Sequence, residues 1–117
     1  MIKLIGLLRK RPDMSRAQFI DYYEGVHAPL VCGLVPIGPD YQRNYTRKMR
    51  ADGHEVADAF DFDCISQVRF ADEAAYAAFA TQMAQPEIMA RIVADEEKFL
   101  DRSASRIMIV EERRTTP

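Results

Sequence analysis

Two residues of this chain can move a proton from within an apolar setting. His27 lies in the stretch DYYEGVHAPLV (residues 21–31), toward the edge of a helical apolar stripe and beside Tyr23. Imidazole is the side chain that titrates unperturbed near neutral pH, so a histidine placed there suits general acid/base work. Held by a backbone carbonyl instead, it is a packing residue, and the residues alone leave both readings open. Glu96 is the second. On a helical wheel it falls in the middle of the stripe Met89, Ile92, Val93, Phe99 and Leu100, with Asp95, Glu97 and Asp101 outside it. A carboxylate facing a core either pairs with a cation or resists ionisation. Arg43, Arg47 and Arg106 are the candidate partners for a structural ion pair. Around these two, Tyr22, Tyr23, Tyr41 and Tyr45 carry hydroxyls that suit orienting a carbonyl or phenol, or packing with the hydroxyl satisfied. Cys64 reads as a small buried hydrophobe or as a pocket thiol. Cys32 and His54 are given no chemical role.

Other chemistries lack their residues. Two histidines and two cysteines, with no spaced His/Asp/Glu set, predict no metal site. No glycine-rich phosphate loop appears, so no nucleotide cofactor is expected. Haem on His27 lacks a cluster of cations for the propionates. The net charge of −2 favours neither nucleic acid nor an anionic membrane surface. No apolar run approaches the ~20 residues of a membrane span. The opening MIKLIGLLRKR places its positive charges after the apolar run, the wrong order for a secretory signal. With two thiols and no disulfide framework, a cytoplasmic location is expected.

These side chains need elements to position them. At 117 residues, 48% hydrophobic and 29% charged, the chain is expected to form one domain, 1–117, with a real core. Residues 2–9 are apolar at odd and even positions alike, a strand buried on both faces. Ser15 and Gln18 form a capping box, with Met14 and Phe19 at the staple positions, so a helix starts there. Pro29 cannot donate to the carbonyl of Gly25 and crowds it, which predicts a kink around His27. Residues 41–49 and 60–70 alternate as strands, Asp72 caps a helix, and Pro86 opens another running to Leu100. Residues 105–112 make a last strand, apolar on both faces. The order β-α-β-β-α-β is the ferredoxin-like arrangement, α+β with a four-stranded antiparallel sheet. RNA-recognition domains share that order, but strand one has no aromatic and strand three carries Asp61 and Asp63. Two helices cover one face of the sheet. The apolar residues on the other predict a homodimer, sheet against sheet, closing a barrel.

The pieces LIGLLRKRPDMSRAQFIDYYEGVHAPLV, YQRN, FDFDCISQVRFADEAA and ADEEKFLDRSASRIMIVEE resemble the EthD family of dimeric α/β-barrel proteins. The first helix ending in H-x-P is the most specific of them. The resemblance implies the barrel dimer and one ligand cavity per subunit, with His27 lining it. It also implies a small hydrophobic or aromatic substrate and no cofactor. Within that family, cofactor-free acid/base chemistry on a polyketide-like carbonyl compound leads, as decarboxylation or a related lyase or isomerase step. His27 would shuttle the proton, and Glu96 with the tyrosines would orient. An oxidoreductase or accessory role in a degradation pathway, or a non-catalytic small-molecule-binding dimer, is the alternative.

Overall fold

The structure, a computed structural model, describes residues 2–55 and 62–117. Four strands, β1 (Ile2–Leu8), β2 (Tyr41–Tyr45), β3 (Cys64–Phe70) and β4 (Arg106–Val110), form one antiparallel sheet in the order β2-β3-β1-β4. Between β1 and β2 lies a helical arm, α1 (Arg16–Tyr22) and α2 (Ala28–Leu34), joined through a π turn at Tyr23–His27. Helices α3 (Glu73–Met83) and α4 (Pro86–Glu96) connect β3 to β4. This is the expected ferredoxin-like α+β fold.

Local chemistry sets the element ends. Ser15 and Gln18 complete the reciprocal capping box, and Met14 packs on the core beside Phe19. The Asp72 carboxylate accepts from the Ala75 N–H and starts α3. Gly38, at φ 81°, turns the chain between α2 and β2, a backbone region that favours glycine.

Strand pairing sorts side chains onto two faces. Opposite partners Leu4–Val68–Tyr41, Gly6–Ser66–Arg43 and Leu8–Cys64–Tyr45 share the helix-covered face. There Phe19, Tyr23, Cys64 and Phe99 make one half of the core, and Val31, Val68, Phe70, Phe79 and Ile92 the other. The uncovered face carries Ile5, Leu7, Ile65, Met108 and Val110, framed by Lys3, Gln42, Asn44, Gln67, Arg69 and Arg106.

Three expected boundaries differ by four residues each, and the ends of β1 and β4 by one or two. Strand β2 stops at Tyr45; beyond it Met49 keeps only an isolated bridge to Glu55. Strand β3 begins at Cys64, after Phe62, and the expected members Phe60 and Asp61 lie outside the described residues. Helix α4 ends at Glu96, where the Lys98 and Phe99 N–H groups switch to the carbonyls three residues back, those of Asp95 and Glu96.

Candidate active site

The kink expected around His27 takes the form of the π turn, closed by the Ala28 N–H donating to the Tyr23 carbonyl. Pro29 has no N–H for the Gly25 carbonyl, and its ring presses on it. A turn wound wider than an α-helix moves that carbonyl off the ring.

That widening decides which side chains meet. Two residues five apart on an α-helix point about 140° away from each other. A turn closed between i and i+5 returns them to one side, so Tyr22 and His27 reach the same carboxylate on α4. The Tyr22 hydroxyl donates to Asp95 Oδ1 at 2.6 Å, and His27 Nδ1 lies 2.8 Å from Asp95 Oδ2. His27 is 4% exposed and Asp95 7%. A carboxylate only accepts, so Nδ1 carries a hydrogen, and in the neutral imidazole Nε2 then holds the lone pair. Nε2 has no protein partner among the described residues, yet it is not a sealed, unsatisfied atom. It opens into the cavity that His27 helps line. Phe99 packs against both the imidazole and Tyr22, with ring centroids 4.7 and 5.3 Å away. Burial, then the hydrogen bond to Asp95, pushes the Tyr22 hydroxyl up to about 12, so it stays a donor.

The cavity, about 100 Å³, lies between the helices and the sheet and opens partly to solvent beside Ile107. Its walls are mostly apolar, from Leu4, Leu8, Val31, Val68 and Ile92. Gly6 belongs to the lining, and a Cβ there would stand 3.4 Å from the Leu8 side chain, so the glycine preserves space. Besides His27, the polar lining is Glu96, Tyr23, Tyr41 and Ser66. The Tyr23 hydroxyl sits 2.6 Å from that of Tyr41 and 2.8 Å from that of Ser66. Burial raises the Tyr23 hydroxyl to about 12 and that of Tyr41 further, Tyr23 adding to the latter.

Of the residues singled out in the sequence, His27, Glu96, Tyr23 and Tyr41 therefore share one cavity. Tyr22 stands behind it, holding Asp95. Tyr45 is turned away, donating to Glu24. Cys64 is fully buried and outside the cavity lining, 3.6 Å from the Ser66 hydroxyl. Burial pushes its thiol up to about 11, which leaves the buried-hydrophobe reading and removes the pocket thiol. Glu96 does form an ion pair, but with Arg102 at 3.1 Å rather than with the arginines anticipated. Arg43 grips Glu24 through two nitrogens, at 2.7 and 2.9 Å. Arg47 pairs with Glu55 at 2.7 Å, and Arg106 donates to the Ser103 and Ser105 carbonyls.

Asp95 and Ser66 were missed. On the stripe Met89, Ile92, Val93, Phe99 and Leu100 the α4 wheel is centred close to Glu96, yet Met89 is exposed. Centred on Ile88 and Ile92, both packed in the core, it puts Asp95 about 60° from Ile92 on one side and Glu96 about 40° on the other. Ile88 was the available signal. Ser66 shares a strand face with Cys64 and Val68, which marks it as inward-facing. Among the described residues, no group of three or more His, Cys, Asp or Glu converges as a metal would need.

A four-stranded ferredoxin-like domain with a buried histidine–carboxylate pair at a small apolar cavity is the class this geometry defines. The EthD domain model matches residues 11–103, and the chain belongs to the EthD domain family. It is 28% identical over 108 residues to the conidial pigment biosynthesis dehydratase EthD of Metarhizium robertsii, covering 86% of this chain and 74% of that protein. The crystal structure of an ethyl tert-butyl ether D (EthD) family protein from Bacillus halodurans superposes with a TM-score of 0.65 at 25% identity, covering 97% of this chain and 99% of the other. SnoaB, a cofactor-independent oxygenase from Streptomyces nogalater, shares the fold with a TM-score of 0.54 at 14% identity, over 99% and 96% of the two chains.

Proposed function

We propose that this protein is a cofactor-independent lyase that removes water from a small, largely apolar hydroxy-carbonyl compound. One observation carries the reading: a buried imidazole whose Nδ1 is committed to Asp95 and whose Nε2 faces an apolar cavity. That is the arrangement of a general base whose hydrogen and orientation are fixed from behind. His27 Nε2 takes a proton from the carbon next to the carbonyl. The released electron pair becomes the carbon–carbon double bond as the bond to the hydroxyl breaks. The imidazolium gives its Nε2 proton to the departing hydroxyl, so water leaves and the neutral base returns. Asp95 steadies the transient cation, and Tyr22 holds Asp95. Loss of water is preferred to loss of carbon dioxide because a carboxylate substrate would find no unpaired cation on the cavity wall among the described residues: Arg43 is neutralised by Glu24, and Arg102 by Glu96. The dehydratase relative agrees with this choice.

The working unit is a homodimer joined through the uncovered sheet face. The row Ile5, Leu7, Ile65, Met108 and Val110 supports it, since such an apolar strip is stabilised by a second copy packed against it.

The test uses a panel of β-hydroxy aryl ketones, beginning with the aldol of benzaldehyde and acetone, whose dehydration product is a conjugated enone followed by its ultraviolet absorbance. Wild type should turn over a member of the panel, and His27→Gln should be about 10²-fold slower or worse. If wild type works no faster than His27→Gln on every ketone, the reading fails. A protein that then still binds the ketones is a binding protein.

A further inference from the structure

The three hydroxyls of Tyr41, Tyr23 and Ser66 hold one hydrogen for which the described residues offer only a weak sulfur acceptor. Tyr23 stands between the other two, so the cluster has two oxygen–oxygen links, 2.6 and 2.8 Å long. Each link consumes one hydrogen, and three hydroxyls carry three. Whichever way the chain runs, one hydrogen is left over. Among the described residues its one further acceptor is the Cys64 sulfur, a weak one 3.6 Å from Ser66. All three residues line the cavity that His27 lines. Tyr23 and Ser66 are buried and Tyr41 is half-buried, so a ligand oxygen in the cavity can take that hydrogen from the weak sulfur acceptor.

We propose that this cluster is an oxygen-binding subsite that donates the spare hydrogen to a neutral acceptor oxygen, a ketone or enol oxygen, of the ligand. The charge around it argues for a neutral group. The guanidinium of Arg43 lies 4.7 Å over the Tyr41 ring, but both its outward nitrogens that face Glu24 are spent on that carboxylate. Glu96, which also lines the cavity, is itself neutralised by Arg102. A carboxylate entering the cavity would find no unpaired cation there among the described residues, whereas a carbonyl needs only the hydroxyl donor. The cluster and His27 Nε2 then form two poles, one donating and one accepting. A ligand that offers an oxygen acceptor and an acidic hydrogen satisfies both. The subsite rests on the reading above only in taking this cavity as the ligand site; it does not require His27 to be catalytic.

The probes are acetophenone and its planar isostere α-methylstyrene, in which a methylene replaces the oxygen. A pocket built to donate to an oxygen disfavours the analogue that lacks it, because the donor is left buried without a partner. The quantity read is the ratio of the two dissociation constants, which cancels their different hydrophobicity when variants are compared. In the Tyr23→Phe, Tyr41→Phe, Ser66→Ala triple variant, the preference for the ketone should fall at least about fivefold. Removing the whole hydroxyl cluster leaves no orphaned partner, so the fold should tolerate it. In His27→Gln the preference should stay within about twofold, even if turnover is lost. A second measurement needs no variant: the carbonyl carbon-13 resonance of labelled acetophenone should move downfield on binding wild type, as hydrogen bonding demands. An unchanged ratio in the triple variant, an unshifted carbonyl, or failure of wild type to bind either probe each overturns the subsite. A dead His27→Gln with the ratio intact supports both readings; a fully active one with the ratio intact sinks only the catalytic role.

Discussion

Replacing Asp95 separates the charge of the buried pair from its shape. In the wild type the carboxylate accepts from the Tyr22 hydroxyl and from His27 Nδ1–H. Hydrogen bonds to a charged group contribute about 1.5–3 kcal/mol each, against about 0.5–1.5 kcal/mol for neutral ones. Asp95→Asn therefore forfeits roughly 2–3 kcal/mol over the two bonds, but it also removes the several kcal/mol spent on desolvating a buried charge. The two effects oppose, and the variant should unfold within about 1 kcal/mol of wild type. Asp95→Ala instead strands both donors at about 1–3 kcal/mol each and opens a void, so its stability should drop by about 2–5 kcal/mol. Function should order differently. The asparagine amide can donate to Nδ1, which drives the ring hydrogen to Nε2 and removes the base, so turnover should fall by about 10²–10⁴ in Asp95→Asn despite its near-normal stability. Denaturant unfolding gives the energies. Nitrogen-15 spectra of the imidazole, taken at about pH 9 where an ordinary histidine is neutral, give the tautomer. An Asp95→Ala protein as stable as wild type would show that Asp95 is not a buried acceptor. An Asp95→Asn protein with full turnover would show that the tautomer is irrelevant.

Deleting Gly25 should rewind the turn as α-helix and leave Tyr22 and His27 four residues apart, about 40° from each other, so His27 should stay on the side of Asp95. Nitrogen-15 spectra should then still show the ring hydrogen held at Nδ1, as should those of Gly25→Ala, with nothing within 4 Å of the added carbon; a deletion that loses the wild-type tautomer sinks the argument that the π turn accommodates one extra residue. Of the two free thiols, exposed Cys32 should react promptly with a thiol reagent in the native protein. Cys64, at about 11, is thiolate to only about one part in a thousand at pH 8 and should wait for unfolding; equal native rates would contradict its burial. Tyr22 and Tyr23 sit near 12 in the fold against 10 for the ordinary group, so each favours the folded state below pH 10. That contribution should vanish as pH rises through 12, seen as alkaline unfolding by circular dichroism, and a flat profile across this window would refute it. Ile5→Glu on the uncovered sheet face should give a monomer by light scattering where wild type gives a dimer, and a monomeric wild type at micromolar concentration would remove the interface altogether.

The fold was legible because its cues are local. The capping box at Ser15, the Asp72 cap and the alternation in β3 each act within a few residues, and each stands where the sequence puts it. The errors lie where a local pattern continues but its hydrogen-bonding partner does not. Residues 46–49 alternate like the strand before them, yet the ladder between β2 and β3 ends at the Tyr45–Cys64 pair. The stripe that carried α4 on to Leu100 is real as burial, since Phe99 and Leu100 are in the core. It is false as helix, because the chain leaves α4 by a turn that still points both residues inward.

The site was harder to read, for a related reason. A helical wheel assumes that one winding persists and that the buried arc is centred on the largest apolar run. The π turn breaks the first assumption: Tyr22 and His27 look unrelated on a 3.6-residue wheel and become neighbours only through the extra residue that Pro29 and Gly25 favour. The proline was visible as a disruption, but not as the device that aligns two donors on one acceptor. The second assumption failed on α4, where an exposed Met89 and a core Ile88 differ by one position, enough to exchange the roles of Asp95 and Glu96. Both failures concern a polar residue in an apolar setting. Apolar periodicity reports where a core lies to within about one residue. A hydrogen-bonded pair such as His27 and Asp95 is decided by angles finer than that, so its partner had to come from the three-dimensional arrangement.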